Sequence, residues 1–258
     1  MRACGIIPAR LQSSRLPRKL LLAETGRPLL QYVWEAACQA RRLDEVIVAT
    51  DSEEIAEAVR QFGGRCEMTG EHPSGTDRIA EVVRRCAIDV DVVVNIQGDE
   101  PEIDPRHIDA LVETLRDHPD AQMATLAAPI TCLDRLNDRS CTKVVCSLTG
   151  RALYFSRLPI PGCRDGRVEE LLQQAAHTEA RRSPWNLHIG LYAYRREFLL
   201  RLTELPPSPL ERLEKLEQLR ALEAGAWIQV AFVDHASVGI DTPDDYAQFC
   251  ARQRRHAA

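Results

Sequence analysis

Short runs of β-branched and aliphatic residues alternate with amphipathic stretches along most of the chain. The apolar runs predict strands at 3–8, 45–50, 65–68, 90–96, 122–128, 143–148, 152–155, 188–194 and 227–233. Apolar positions at helical spacing predict helices near 28–39, 52–62, 76–87, 105–117, 167–179, 209–224 and 243–253. Val92-Val93-Val94 has no polar alternation, as expected of a strand covered on both faces of a parallel sheet. The first half therefore reads β-α-β-α-β, an α/β chain with an open, doubly wound, mostly parallel sheet. Between 143 and 207 the rhythm changes. Strand signals become adjacent, and two proline-rich corners appear, Leu158-Pro159-Ile160-Pro161-Gly162 and Pro206-Pro207-Ser208-Pro209. That stretch predicts a small mixed or antiparallel insertion within a single domain spanning 1–258.

Composition narrows the class. At 45% hydrophobic and 28% charged, the 258 residues have the balance of a globular chain. The formal net charge of −5 argues against a nucleic-acid polymer as partner. Aliphatic stretches fall far short of the about 20 residues of a membrane helix. The nine cysteines are odd in number and form no C-x-x-C pair, so reduced thiols are expected and zinc is not. With a strand pattern starting at Ala3 there is no visible leader, and a cytoplasmic location is expected.

An open α/β sheet binds ligands beyond the carboxyl ends of its strands. The loop after the first strand reads Pro8-Ala9-Arg10-Leu11-Gln12-Ser13-Ser14-Arg15-Leu16-Pro17-Arg18-Lys19, and residues 1–23 hold five basic side chains and no acid. Arg10, Arg15 and Lys19, with the hydroxyls of Ser13 and Ser14 between them, suit a polyphosphate, although neither a Walker loop nor a G-x-G-x-x-G turn is present. Asp99 follows the buried valine strand, where a carboxylate could hold a magnesium ion that bridges phosphates. Asp241, in Gly239-Ile240-Asp241-Thr242-Pro243, is a second candidate; it or Thr242 could instead cap the following helix.

Other segments are more ambiguous. His188, Gly190, Tyr192 and Tyr194 share a strand face, with Gly190 leaving room for a ligand; an ordinary strand with a satisfied histidine reads the same way. Glu214, Glu217 and Gln218 fall on one side of the helix expected at 209–224, where Glu217 and Gln218 suit hydroxyl recognition or form a solvated charged face. In Ser74-Gly75-Thr76-Asp77-Arg78, Ser74 or Thr76 could cap a helix and Arg78 could point at a base or ribose.

Taken in order, Ile7-Pro8-Ala9-Arg10 through Lys19, Val48-Ala49-Thr50-Asp51, Ser74 through Arg78, Asn95 through Pro101, Tyr154-Phe155-Ser156-Arg157, His188 through Tyr194, Leu216 through Arg220 and Asp241-Thr242-Pro243 resemble the 3-deoxy-manno-octulosonate (Kdo) cytidylyltransferases. The first motif is shared with sialic-acid cytidylyltransferases; the segments from Gln97, Tyr154 and Leu216 are more specific to the Kdo branch. The resemblance implies a nucleotide-diphospho-sugar transferase fold, a homodimer, and an enzyme joining CTP to Kdo, releasing pyrophosphate, for lipopolysaccharide assembly. It implies that Arg10, Arg15 and Lys19 hold the triphosphate and that Ala9 and Arg78 lie near the cytidine, with Ser13 and Ser74 in the nucleotide set. It implies Mg²⁺ on Asp99 and Asp241. Gln97, Arg157, His188, Tyr192, Glu217 and Gln218 would face the sugar acid, with Arg157 as partner of its carboxylate. The alternatives are a cytidylyltransferase for a sialic-type or amino-substituted acid, and a non-catalytic nucleotide-binding regulator of the same fold.

Overall fold

The computed structural model describes residues 1–13, 15–86, 89–177 and 183–257, so Ser14 and the end of the helix expected at 167–179 lie outside the described residues. Every expected strand forms: β1 (Ala3–Ala9), β2 (Glu45–Thr50), β3 (Arg65–Met68), β4 (Val92–Asn95), β5 (Met123–Pro129), β6 (Lys143–Cys146), β7 (Ala152–Ser156), β8 (Asn186–Arg195) and β9 (Ile228–Phe232). The helices are α1 (Leu29–Cys38), α2 (Glu53–Gln61), α3 (Gly75–Arg85), α4 (Pro105–Asp117), α5 (Leu133–Asn137), α6 (Val168–His177), α7 (Arg196–Leu202), α8 (Pro209–Glu214), α9 (Gln218–Glu223) and α10 (Pro243–Ala257). The short α5 and α7, and a 3-10 turn at Lys19–Leu21, are too brief to leave a periodic trace in sequence. Among the described residues no helix is long and apolar enough to cross a membrane, and all nine cysteines are free thiols.

The chain divides into two compact units. The first comprises Met1–Val112, Tyr194–Thr203 and Ser237–Ala258. Its strands pair in parallel in the order β3-β2-β1-β4, with β1 in register from Cys4 opposite Glu45 to Ala9 opposite Thr50. Parallel neighbours need a crossover, and the helices supply it. Ser52 caps α2 and Ser74 caps α3, each side chain accepting a backbone N–H in the first turn. All four residues of β4 are buried, as its unbroken apolar run predicts.

One cluster in this unit determines where the site lies. Leu16, from the loop after β1, packs with Leu29, Ile240, Tyr246, Phe249 and Cys250, all buried. The Tyr246 hydroxyl accepts from the Glu24 backbone N–H at 2.9 Å, and Tyr32 meets Phe249 edge-on at 5.2 Å. Burial of these side chains ties the basic loop to α10 and to Asp241 just ahead of it.

The second unit comprises Glu113–Ala193 and Glu204–Ala236, so it starts ahead of the rhythm change at 143. Here β5 and β9 are parallel, while β6 is antiparallel to both β7 and β8, with an irregularity between Val145 and Cys146. The fold is thus α/β, with mostly parallel strands and antiparallel ones in the second unit.

The helix expected at 209–224 is corrected by the structure. It breaks into α8 and α9 at Lys215, whose φ of 53° is left-handed. Leucines every third residue precess around a helix with ~3.6 residues per turn, and one straight helix would carry them off a common face. The break buries Leu216 while Leu213 stays exposed. Glu214 therefore ends one helix, and Glu217 and Gln218 open the next.

Candidate active site

Beyond the ends of β1 and β4 the first unit holds a pocket of about 650 Å³. Its walls include Pro8, Ala9, Arg10, Gln12, Ser13, Arg15 and Lys19 from the basic loop, Ser74, Gly75 and Arg78 from α3 and its cap, Gln97, Gly98 and Asp99 after β4, and Asp241. Every residue expected in the nucleotide set is there, and Gln97, expected to face the sugar acid, lines the same cavity. The N-terminus of α3 reaches the pocket because Gly75 has no Cβ; one added there would come within 3.1 Å of the Pro8 ring. That end of a helix favours an anion.

The centre of the pocket is Lys19. Its ammonium donates to Asp99 Oδ2 at 2.5 Å, Asp241 Oδ1 at 3.0 Å and the Ile240 carbonyl at 3.1 Å. Arg15 pairs with the other oxygen, Asp241 Oδ2, at 2.8 Å. Two aspartates 142 positions apart in sequence thus share one ammonium. Burial opposes the charge on Lys19, but Asp99 and then Asp241 outweigh it and raise its pKa. The backbone helps: the Ile240 N–H donates to the Asp99 carbonyl at 2.9 Å, which locks the two loops together.

The two readings of Asp241 are now separable. Thr242 caps α10, its hydroxyl accepting from the Asp245 N–H at 3.2 Å, while Asp245 Oδ2 accepts from the backbone N–H groups of Asp241 and Thr242 at 3.2 and 2.8 Å. The Asp241 carboxylate is therefore spared for the pocket. Glu100, next to Asp99, accepts instead from Ser237, and burial pushes its pKa up to about 7. Asp99 and Asp241 offer hard oxygen donors only, a set that fits Mg²⁺, which takes one or two carboxylates and fills its shell with water and phosphate oxygens.

Arg78 lines the pocket but is not the free guanidinium expected. It is only 4% exposed and donates to Asp51 Oδ2 at 2.7 Å, to the Thr69 hydroxyl and to the Gly70 carbonyl at 3.3 Å. It braces the wall rather than reaching across it. His72, which no sequence pattern marks, also lines the cavity; its Nε2 lies 2.6 Å from Glu81 Oε2, which also accepts from the Gly70 N–H. Burial works against the Glu81 charge, but these hydrogen bonds hold its pKa low. A loop histidine whose partner sits on a later helix has no local pattern to betray it.

The remaining residues expected to face the sugar acid lie in the second unit. Arg157 is anchored by backbone carbonyls. Its Nε donates to the Glu214 carbonyl at 2.8 Å, Nη1 to the Arg139 carbonyl at 3.1 Å and Nη2 to the Lys215 carbonyl at 3.4 Å. The last carbonyls of α8 have no intrahelical donor, and the guanidinium satisfies them while using three of its five N–H groups.

His188 is buried and satisfied. Its Nε2 sits 2.9 Å from the Thr125 hydroxyl, which also lies 2.9 Å from the Leu191 carbonyl and 3.1 Å from the Ile189 carbonyl. Burial pushes its pKa down to about 3. A folded pKa below the ordinary 6.5 means that the unfolded chain binds the extra proton, so stability should fall as pH drops from 6.5 toward 3. Urea midpoints of the wild type should therefore drop between about pH 7 and about pH 5, and by less in His188→Gln. An equal drop in both would remove His188 from that acid limb.

Between His188 and Tyr192, a Cβ added at Gly190 would meet nothing within 4 Å, so the strand face is open there. Burial, with Glu217 nearby, pushes the Tyr192 pKa up and keeps its hydroxyl protonated. Gln218 is 4% exposed and its buried Nε2 has no partner among the described residues. An orphaned buried donor is costly unless a ligand meets it.

Residues 4–230 match the cytidylyltransferase family profile. A 3-deoxy-manno-octulosonate cytidylyltransferase from Rhodopirellula baltica is 47% identical over 253 residues, 98% of each chain. One of the same name from Geobacter sulfurreducens is 46% identical over 95% of this chain and 96% of its own. A solved CMP:2-keto-3-deoxy-manno-octonic acid synthetase complexed with CTP superposes with a TM-score of 0.88 at 40% identity, covering 99% of this chain and 100% of that one. The 4-diphosphocytidyl-2C-methyl-D-erythritol synthase of Anaerococcus prevotii, at 12% identity and a TM-score of 0.59, shares the fold alone. With its motifs in order over nearly the whole length, the chain belongs to the 3-deoxy-manno-octulosonate cytidylyltransferase family.

Proposed function

We propose that this protein transfers the cytidylyl group of CTP to the anomeric hydroxyl of Kdo, giving CMP-Kdo and pyrophosphate. The observation that carries this reading is the meeting of Lys19, Asp99 and Asp241 in a pocket walled by the acid-free loop of Arg10 and Arg15. Membership of the family and the likeness to a synthetase complexed with CTP select this reaction among those such a pocket could support.

The chemistry follows from charge. A hydroxyl attacks the α-phosphorus in line and pyrophosphate leaves from the opposite side, so two anions must be brought together. Arg10, Arg15 and Lys19 bind the triphosphate and spread the charge that builds on the departing oxygen. Asp99 and Asp241 would hold Mg²⁺, which when bound would neutralise phosphate charge and lower the pKa of the attacking hydroxyl. No side chain needs to become a nucleophile. In the second unit Gly190, Tyr192, Glu217 and Gln218, whose Nε2 has no partner among the described residues, suit a ligand rich in hydroxyls. A homodimer, a cytoplasmic location and a place in lipopolysaccharide assembly accompany the reading through family membership.

A site whose buried polar groups expect hydroxyls rejects analogues that lack or replace them. Pyrophosphate release should therefore be fastest with CTP and Kdo when the four nucleoside triphosphates are crossed with Kdo, an amino-substituted Kdo and N-acetylneuraminate. Preference for N-acetylneuraminate would defeat the Kdo assignment and leave a cytidylyltransferase; preference for another nucleotide would defeat both.

A further inference from the structure

Lys143, on β6, is the bulkiest fully buried side chain among the described residues, and no step above uses it. Its ammonium donates to the carbonyls of Asp138 at 2.9 Å, Cys141 at 2.5 Å and Arg157 at 2.7 Å. An ammonium has three N–H groups, so its donor capacity is met by backbone alone. Burial pushes its pKa down. A lysine is rarely buried so completely, and here one side chain ties together three separate pieces of backbone.

The three carbonyls belong to the end of α5, the turn into β6 and the exit of β7. The last of these leads on. Arg157, whose carbonyl Lys143 holds, donates its backbone N–H to Glu214 Oε2 at 3.0 Å, while Ser156 Oγ donates to Glu214 Oε1 at 2.7 Å. The Arg157 guanidinium binds the carbonyls of Glu214 and Lys215. Glu214 is thus gripped by carboxylate and carbonyl together, just before the left-handed Lys215 turns the chain into α9. Glu217 and Gln218 follow within three residues of that turn.

We propose that Lys143 is a positioning residue for sugar-acid recognition, acting through Arg157 and Glu214 to hold the α8–α9 turn from which Glu217 and Gln218 project. The inference rests on the reading of those two residues as sugar-facing. A displaced turn misplaces hydrogen-bonding groups whose worth depends on geometry, and nothing in this chain of contacts involves the triphosphate residues.

The test is steady-state kinetics of pyrophosphate release for the wild type, Lys143→Met and Glu214→Ala, with folding checked by circular dichroism. Lys143→Met should raise KM for Kdo about tenfold while KM for CTP stays within about twofold. Unchanged KM for Kdo, or a parallel rise in both constants, overturns the inference. If Lys143→Met does not fold, the half-buried Glu214→Ala carries the same test: a Kdo-specific rise supports the inference and no such rise overturns it. A wild type without Kdo-dependent turnover overturns the proposed function and this inference with it, whereas a Kdo-active wild type beside unaffected variants overturns the inference alone.

Discussion

Asp99→Asn and Asp241→Asn should each lower turnover by about two to four orders of magnitude, on the scale of ~1.4 kcal/mol per factor of ten. Asparagine keeps the size and one oxygen acceptor of aspartate but removes the charge, so packing is preserved and the loss falls on electrostatics. Each carboxylate binds the Lys19 ammonium, and Asp241 also binds Arg15, so either change unbalances the pocket as well as removing a hard ligand. Activity should vanish with a chelator and return with Mg²⁺ in the wild type. Turnover is to be measured at saturating Mg²⁺ and CTP, with thermal unfolding as control. Near-normal turnover in either variant would remove that aspartate from the site.

Lys19→Met should be nearly as severe, and it should carry a second signature. The ammonium is the shared counter-ion of two carboxylates; deleting it leaves Asp99 and Asp241 mutually repelling and deprives the triphosphate of a cation. Turnover should fall by about two orders of magnitude or more. In the absence of CTP, Mg²⁺ should bind the variant more tightly than the wild type, because the ion no longer competes with a fixed cation. Isothermal titration of Mg²⁺ reads that directly. A fall in turnover accompanied by weaker Mg²⁺ binding would mean that Lys19 organises the carboxylates instead of competing for them.

Much of this is legible in the chain. The acid-free loop after β1 shows its chemistry because charge composition is local. Asp99 stands out because a carboxylate just past an all-buried strand has few structural uses. The dual reading of Asp241 is not resolvable from sequence, since a capping and a ligating aspartate look alike until Thr242 and Asp245 are seen to share the cap. Arg157 is legible only in part. Its motif is recognisable, but its hold on a helix end depends on where α8 stops. That stop falls at Lys215, a residue type that does not announce a left-handed conformation. Arg78 and His72 likewise depend on partners brought in from separate segments, Asp51 and Glu81.

The reaction should form one phosphodiester, linking CMP to Kdo. The most direct test is ³¹P NMR of the protein incubated with CTP, Kdo and Mg²⁺. A single new phosphodiester resonance should grow in step with pyrophosphate as the three CTP signals decline. Pyrophosphate appearing with CMP and no phosphodiester, or CTP unchanged in the presence of Kdo, would contradict it.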